Sequence, residues 1–225
     1  MNNSCEIYEL KTGFFHFLNY SYVIVDRATG TAAIVDPAWE IRKFTELLER
    51  IGVEVSAILL THSHEDHVNL VQPLVNLYQP KVYMSDIEIN YYHYQSPNLT
   101  GFGHKDRIRI GDTVIECLLT PGHTAGSACY LLHDSMFSGD TVFTEGCGIC
   151  NCPGGSPSDM YDSIQMIKSY VPDYVKVYPG HSFGKGTGHT LGSLKEENIY
   201  FQIYKRNHFV DFRMRPNQKN IFSFK

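Results

Sequence analysis

Apolar and polar positions recur along this chain with two different periods, and the changes of period mark its elements. "YSYVIVDRATGTAAIVDPA" holds two β-rich runs, Tyr20–Val25 and Thr31–Val35, separated by a turn around "RATG". "WEIRKFTELLERIG" then places apolar residues at Trp39, Phe44, Leu47, Leu48 and Ile51, a helical spacing closed by Gly52. "VSAILLT" is a short continuous apolar run, as a buried strand requires. Helical spacing returns in "VNLVQPLVNLY", where Pro73 predicts a kink or a restart. "KVYMS", "TVIECLLT", "SACYLLH" and "SMFSGDT" read as strands. "SPSDMYDSIQMIKSY" reads as a helix with Ser or Asp near its start, and "YVKVYPG" as the final strand. The aromatic-rich segment from about residue 190 to 225 is expected to pack a helix and an extended tail on the body. Helices recur between more numerous strands, so the expected fold class is α/β (α+β) in layers, one domain over 1–225. "NYYHYQSPNLTGFGHKDR" fits neither period. It is either a lid or insertion over a pocket, or ordinary half-buried packing of tyrosines.

Composition narrows the partners. The chain is 43% hydrophobic with a net charge of −5, which points to a soluble globular protein and away from nucleic acid. No apolar run approaches the roughly 20 residues that span a bilayer, so no membrane is expected. "MNNSCEIYEL" lacks a basic region followed by an apolar stretch, which makes the cytoplasm the expected location. In that compartment Cys5, Cys117, Cys129, Cys147, Cys150 and Cys152 are expected as thiols. "CGICNC" offers three thiols without a second pair at finger spacing and reads as a loop with incidental cysteines. Lys205, Arg206, Arg213, Arg215, Lys219 and Lys225 face Asp211 alone in the last stretch of chain. That basic tail is either a docking surface for an acidic partner or simply solvated.

"THSHEDHVNL" changes the picture. Three histidines and two acids fall within six consecutive positions, His62 to His67, just past the strand "SAILLT". In extended backbone, residues two apart point to one side, so His62 and His64 project together. Asp66 and His67 follow where the chain turns into a helix and face a second point nearby. Two such points with nitrogen and carboxylate donors suit borderline-soft divalent metals such as zinc. Further donors follow other apolar runs: His123 in "LLTPGHTAGS", Asp140 in "SMFSGDTVF" and His181 in "VKVYPGHSFG". Each comes after a strand and a glycine-containing turn. One histidine there is an ordinary turn residue, but this many donors at strand ends point to a site.

"HSHEDH" matches the His-x-His-x-Asp-His motif of the metallo-β-lactamase fold superfamily, and "PGHTAGS", "SGDTVF" and "PGHS" match its later metal motifs in order. The resemblance runs from about residue 20 to 185. It implies a four-layer αββα sandwich with the site at one edge of the two sheets. It implies His62, His64 and His123 on one metal, Asp66, His67 and His181 on the other, and Asp140 bridging both. The implied cofactor is two Zn2+, with Fe or Mn open. The implied reaction is attack of a metal-bridging hydroxide on a carbonyl, with Asp66 as the catalytic residue that orients it and takes its proton. Asp36 in "AIVDPA" resembles the family's buried acid behind the metal loop, unless it is a turn residue before Pro37. Glu65 reads as a solvent-side spacer.

Within the superfamily, "GDTVFTEGCG" looks most like the glyoxalase II branch, which hydrolyses glutathione thioesters. That branch follows Gly-Cys-Gly with a lysine and its last metal histidine with Glu-Tyr. This chain has Ile149 at the first place and Ser182 and Phe183 at the second. "LKTGFFHFLNYSY", "THSHEDHVNLV", "FTEGCGIC" and "YPGHSFGK" are similar to the zinc-dependent hydrolases of bacterial trans-acyltransferase polyketide synthases of the bacillaene type. This resemblance implies a thioesterase, with acyl carrier protein bearing acyl-phosphopantetheine as substrate and partner. The alternative is a glyoxalase II-type hydroxyacylglutathione hydrolase. A single-iron oxidoreductase of the same fold uses a reduced ligand set, which this sequence does not show.

Overall fold

The computed structural model of the protein describes residues 5–15, 17–182, 185–216 and 218. Its first half forms a sheet in chain order: β1 (Cys5–Phe14), β2 (Phe17–Asp26), β3 (Thr31–Val35), β4 (Glu54–Leu59), β5 (Lys81–Ser85) and β6 (Leu99–Phe102). The first three strands pair antiparallel, and from β3 to β6 the pairing is parallel. The second sheet holds β7 (Arg107–Ile110), β8 (Thr113–Leu119), β9 (Ala128–Leu131), β10 (Ser135–Gly139), β11 (Lys176–Pro179) and β12 (His189–Thr190), again in chain order. Only β10 and β11 are parallel there.

The period of two along each strand decides the layers. In β2, Tyr20, Tyr22 and Ile24 face the second sheet and meet Ile115, Tyr130 and Phe137. Val23 and Val25 face the other way, onto Phe44, Leu47 and Leu48 of α1 (Ile41–Ile51) and Leu74 and Val75 of α3 (Val71–Tyr78). The outer face of the second sheet packs Leu118, Met136 and Val177 on Ile164 and Ile167 of α5 (Pro157–Tyr170). The same cluster takes in α6 (Leu191–Glu197), α7 (Ile199–Gln202) and α8 (Arg206–Arg213) through Leu194, Phe201 and Phe209. The result is the expected αββα stack. No helix among the described residues is long and apolar enough to cross a membrane.

Local departures from the pattern have physical reasons. The expected first helix starts only at Ile41, because Asp36 and Trp39 both adopt positive φ, 47° and 67°, and turn the chain first. It ends at Gly52, in the left-handed conformation, as its sequence predicts. Pro73 marks a restart: a four-residue helix, α2 (Glu65–Val68), stops before α3, whose third residue is the proline. Ser156 caps α5, its hydroxyl accepting from Asp159 N. The segment expected as a lid or as half-buried tyrosine packing is the second: it completes α4 (Asp86–Tyr92) and forms edge strand β6, with Tyr92 and Tyr94 half-buried. "YVKVYPG" is not the final strand, since the two-residue β12 follows it. The C-terminal segment holds three helices rather than one, and Lys219 and Lys225 of the tail lie outside the described residues.

At the edge away from the loops that follow β4 and β8, buried Asp26 ties the sheets. Its Oδ2 accepts Asp112 N at 2.9 Å, Thr113 N at 2.7 Å and Thr113 Oγ1 at 2.8 Å, and its Oδ1 accepts Thr29 N at 3.0 Å. Burial would raise this carboxyl, but the hydrogen bonds win and hold it below the usual range. A lowered folded pKa gives stability that is present above the unfolded value of about 3.9 and is lost as pH falls through the folded one. Asp26→Ala is expected to cost about 1–3 kcal/mol at pH 7 in urea unfolding, with the gap to wild type closing below pH 3.

Candidate metal centre

The ends of β4, β8, β10 and β11 meet at one edge of the two sheets. Backbone bonds fix that meeting: Ala128 N donates to Thr61 O at 2.9 Å, Gly180 N to Gly139 O at 2.9 Å, and Tyr20 N to Gly180 O at 2.8 Å. Gly180 has to be glycine here, since a Cβ would fall 2.6 Å from His67 Cε1 and 2.7 Å from Asp140 Oδ1.

His62 and His64 do project together. His62 Nε2 lies 3.1 Å from His64 Nδ1, and His123 Nε2 lies 2.9 Å from the same atom. Burial holds His62 well below its ordinary pKa and lowers His64; against the pull of Asp140 it pushes His123 down to about 4. All three therefore offer unprotonated nitrogens. The second trio forms beside it. His181 Nε2 stands 3.2 Å from Asp66 Oδ2 and 3.3 Å from His67 Nε2. Burial disfavours charge on His67, yet Asp66, Asp140 and Asp36 raise it to about 10. Burial would likewise raise Asp66, but His67 and His181 hold it well below the carboxylate range.

Asp140 stands between the trios. Its Oδ2 is 3.6 Å from His123 Nε2 and 3.5 Å from His181 Nε2, and its Oδ1 is 3.5 Å from His67 Nε2. All seven sequence-predicted donors are thus brought together. Asp140 Oδ1 is buried and has no hydrogen-bond donor among the described residues. An acceptor left this way costs free energy that a cation at the same place offsets. The donor set and this orphaned oxygen fit bound divalent metal.

The imidazoles are held from behind. His123 Nδ1 lies 2.7 Å from Ile149 O, His181 Nδ1 2.7 Å from Leu18 O, His67 Nδ1 3.1 Å from Asp36 Oδ2 and His62 Nδ1 3.0 Å from Thr61 Oγ1. A carbonyl can only accept, so Nδ1 of His123 and His181 carries a proton, and Nε2 is the atom each ring turns toward the other donors. Asp36 also lies within metal-holding distance of His62 and His67. Its oxygens are already engaged, however: Oδ1 accepts Thr61 N at 2.8 Å, and Oδ2 accepts Thr61 Oγ1 at 2.6 Å. Asp36 supports the loop, as the resemblance suggested. Glu65 is exposed.

Sequence reasoning passed over two side chains. Asn19 donates from Nδ2 to Asp66 O at 2.8 Å and Oδ2 at 3.2 Å, while its Oδ1 accepts Trp39 Nε1 at 2.7 Å. Its only signal was an amide in an otherwise apolar strand. Glu88, fully buried, contacts the loops carrying His64 and His123. The cysteines are free thiols, and none joins a metal-holding group among the described residues.

Comparison with known proteins follows this geometry closely. The profile of the Metallo-beta-lactamase superfamily matches residues 16–181. The chain belongs to the metallo-β-lactamase superfamily. It is 52% identical, over all of both chains, to a protein of Bacillus subtilis named "Probable polyketide biosynthesis zinc-dependent hydrolase PksB". At that identity the enzyme class carries over, and the chain is a hydrolase. Among solved structures, ETHE1 from Myxococcus xanthus is 28% identical with a TM-score of 0.85, covering 96% of this chain and 92% of that one. TTHA1623 in a di-iron-bound form is 26% identical with a TM-score of 0.71, covering 86% and 99%.

Asp36→Asn separates support from fold, because Asn tolerates the positive φ as Asp does. Its amide group would face a donor at Thr61 or at His67. Metal affinity is expected to fall about 10- to 100-fold in a zinc titration, with the far-ultraviolet spectrum unchanged.

Proposed function

We propose that the protein is a dinuclear zinc-dependent thioesterase that removes acyl groups from acyl carrier protein in polyketide antibiotic biosynthesis. The observation that carries the two-metal part is the place of Asp140, one oxygen toward His67 and the other toward His123 and His181. On this reading His62, His64 and His123 would hold one ion and Asp66, His67 and His181 the other, with Asp140 as a donor placed between them. Bound metal supplies hydroxide at neutral pH and polarises the carbonyl under attack. Asp66 would orient the attacking water and receive its proton, while the Asn19 amide keeps that carboxylate in place. The outer hydrogen bonds to Leu18, Ile149 and Asp36 keep the imidazoles from turning as charge develops.

The relative's name supports the polyketide setting, and the loop after Asp140 supports a carrier rather than glutathione. Ile149 stands where the glyoxalase II branch places a lysine; the other departure, Phe183, lies outside the described residues. Ile149, Cys150, Asn151, Arg213 and Arg215 line a pocket of about 350 Å³. Arg213 is buried there, bonded to Gly148 O at 2.8 Å and Gln218 Oε1 at 2.8 Å. No carboxylate pairs with it among the described residues, and burial pushes the neighbouring Cys150 thiol up to about 11. A buried guanidinium without a counter-anion suits the phosphate of a phosphopantetheine arm.

Zinc-loaded protein is expected to release acid from acyl-loaded carrier protein, and chelator-stripped protein to release none. Lactoylglutathione should be poorer by at least about 100-fold in kcat/KM. Release no faster than in the stripped control would sink the reading. Arg213→Gln should raise KM for the carrier substrate about tenfold, as loss of a charged hydrogen bond predicts.

A further inference from the structure

Each half of the centre is braced by a buried acid that is not itself among the donors. Asp36 braces His67 and the backbone before His62. Glu88, on α4, does such work for the His62–His64–His123 half. Its Oε1 accepts Ser63 N at 2.8 Å and Ser63 Oγ at 2.7 Å. Its Oε2 accepts Thr124 Oγ1 at 2.9 Å and Gly126 N at 2.9 Å. Ser63 lies between His62 and His64, and Thr124 follows His123. One carboxylate therefore joins the two loops that deliver the three imidazoles. Ser85, which caps α4, adds a third tie: its hydroxyl accepts Glu88 N and donates to Gly126 O at 2.6 Å. The fit is close enough that a Cβ on Gly126 would lie 2.2 Å from Glu88 N and 2.6 Å from Ser85 Oγ.

We infer that Glu88 is a positioning residue for the His62–His64–His123 ion, whereas Asp36, through Thr61 and His67, stands behind both halves. This rests on the two-metal reading. Glu88 touches neither substrate nor ion; it acts by fixing the spacing of two loops that no regular secondary structure joins. The four bonds leave a clear chemical handle. Each oxygen accepts two donors, so in Glu88→Gln the amide group confronts two donors whichever way it turns, and one loop loses its brace.

The test is metal content at buffered free zinc, together with the visible absorption of the cobalt-substituted protein, for wild type, Glu88→Gln and Asp36→Asn. Wild type is expected to take two ions. Glu88→Gln should bind one of them about 10- to 100-fold more weakly and keep the other, losing the cobalt bands of a three-histidine site. Asp36→Asn, which loosens Thr61 behind His62 as well as His67, should weaken both ions and so serves as the contrast. Glu88→Gln with wild-type affinity for both ions, or with both weakened alike, overturns the inference. If Glu88→Gln does not fold, Ser63→Ala and Thr124→Val each remove one hydroxyl donor. They should weaken the same single ion severalfold, and no effect in either variant overturns the inference. A wild type that binds one ion at every zinc concentration sinks the two-metal reading instead. Glu88 is then judged on whether Glu88→Gln weakens that ion at least tenfold.

Discussion

The Asp36 carboxylate, pinned by Thr61 and pressed against the back of His67, is the interaction on which the site turns. Imidazoles and carboxylates packed this closely in a dry edge of the protein have no intrinsic reason to keep their orientation. Left alone, each ring would rotate toward water or pair with its neighbour. The fold prevents that by giving each outer nitrogen of His62, His67, His123 and His181 a partner held in place, either a buried side chain or a backbone carbonyl. The two sheets matter because they bring those partners from distant parts of the chain to one edge. The tyrosines inside the sandwich serve the same end: Tyr22 donates to Pro179 O at 2.6 Å and Tyr130 to Leu60 O at 2.8 Å. Both bonds tie one sheet to the site-bearing end of the other.

Ile149 has two roles. Its carbonyl orients His123, and its side chain lines the pocket beside Arg213. The Arg213 guanidinium holds the carbonyl of the preceding residue, Gly148. The C-terminal helices pack on α5 and also on the loop after Asp140, where Asn198 Nδ2 donates to Phe143 O and Gly146 O at 2.9 Å each and Arg213 holds Gly148 O. The geometry of the metal centre and the shape of the space beside it are set by one short segment.

Most of the donors were legible because their chemistry is local: a histidine after a buried strand and a glycine turn carries its own signal. Strand periodicity carried the central layers for the same reason, with Thr31–Val35 recovered residue for residue. The edges were not legible. β1 reads "CEIYELKTGF", with charges among its apolar positions, since an edge strand is only half covered, and β12 is two residues long. The supporting residues were hidden differently. "SDIE", Ser85 to Glu88, has the spacing of a helix capping box, and Ser85 does cap α4. Glu88 instead reaches across to loops 25 and 36 residues away in sequence, a fact no local pattern holds. Asn19 is likewise a short polar residue whose partners, Trp39 and Asp66, lie 20 and 47 residues away, while Asp36 was legible only through the family resemblance.

The bond between His181 Nδ1 and Leu18 O joins residues 163 apart in sequence. As the chain emerges from the ribosome, the His62–His67 loop is complete early, and His123 and Asp140 follow. The groups that lock the arrangement arrive when most of the protein has been made. A nascent chain halted before residue 181 owns one complete trio and two members of the other, with Leu18 O still waiting for its partner. Completion of the donor set is therefore a late event, tied to the arrival of β11 and the closing of the sandwich.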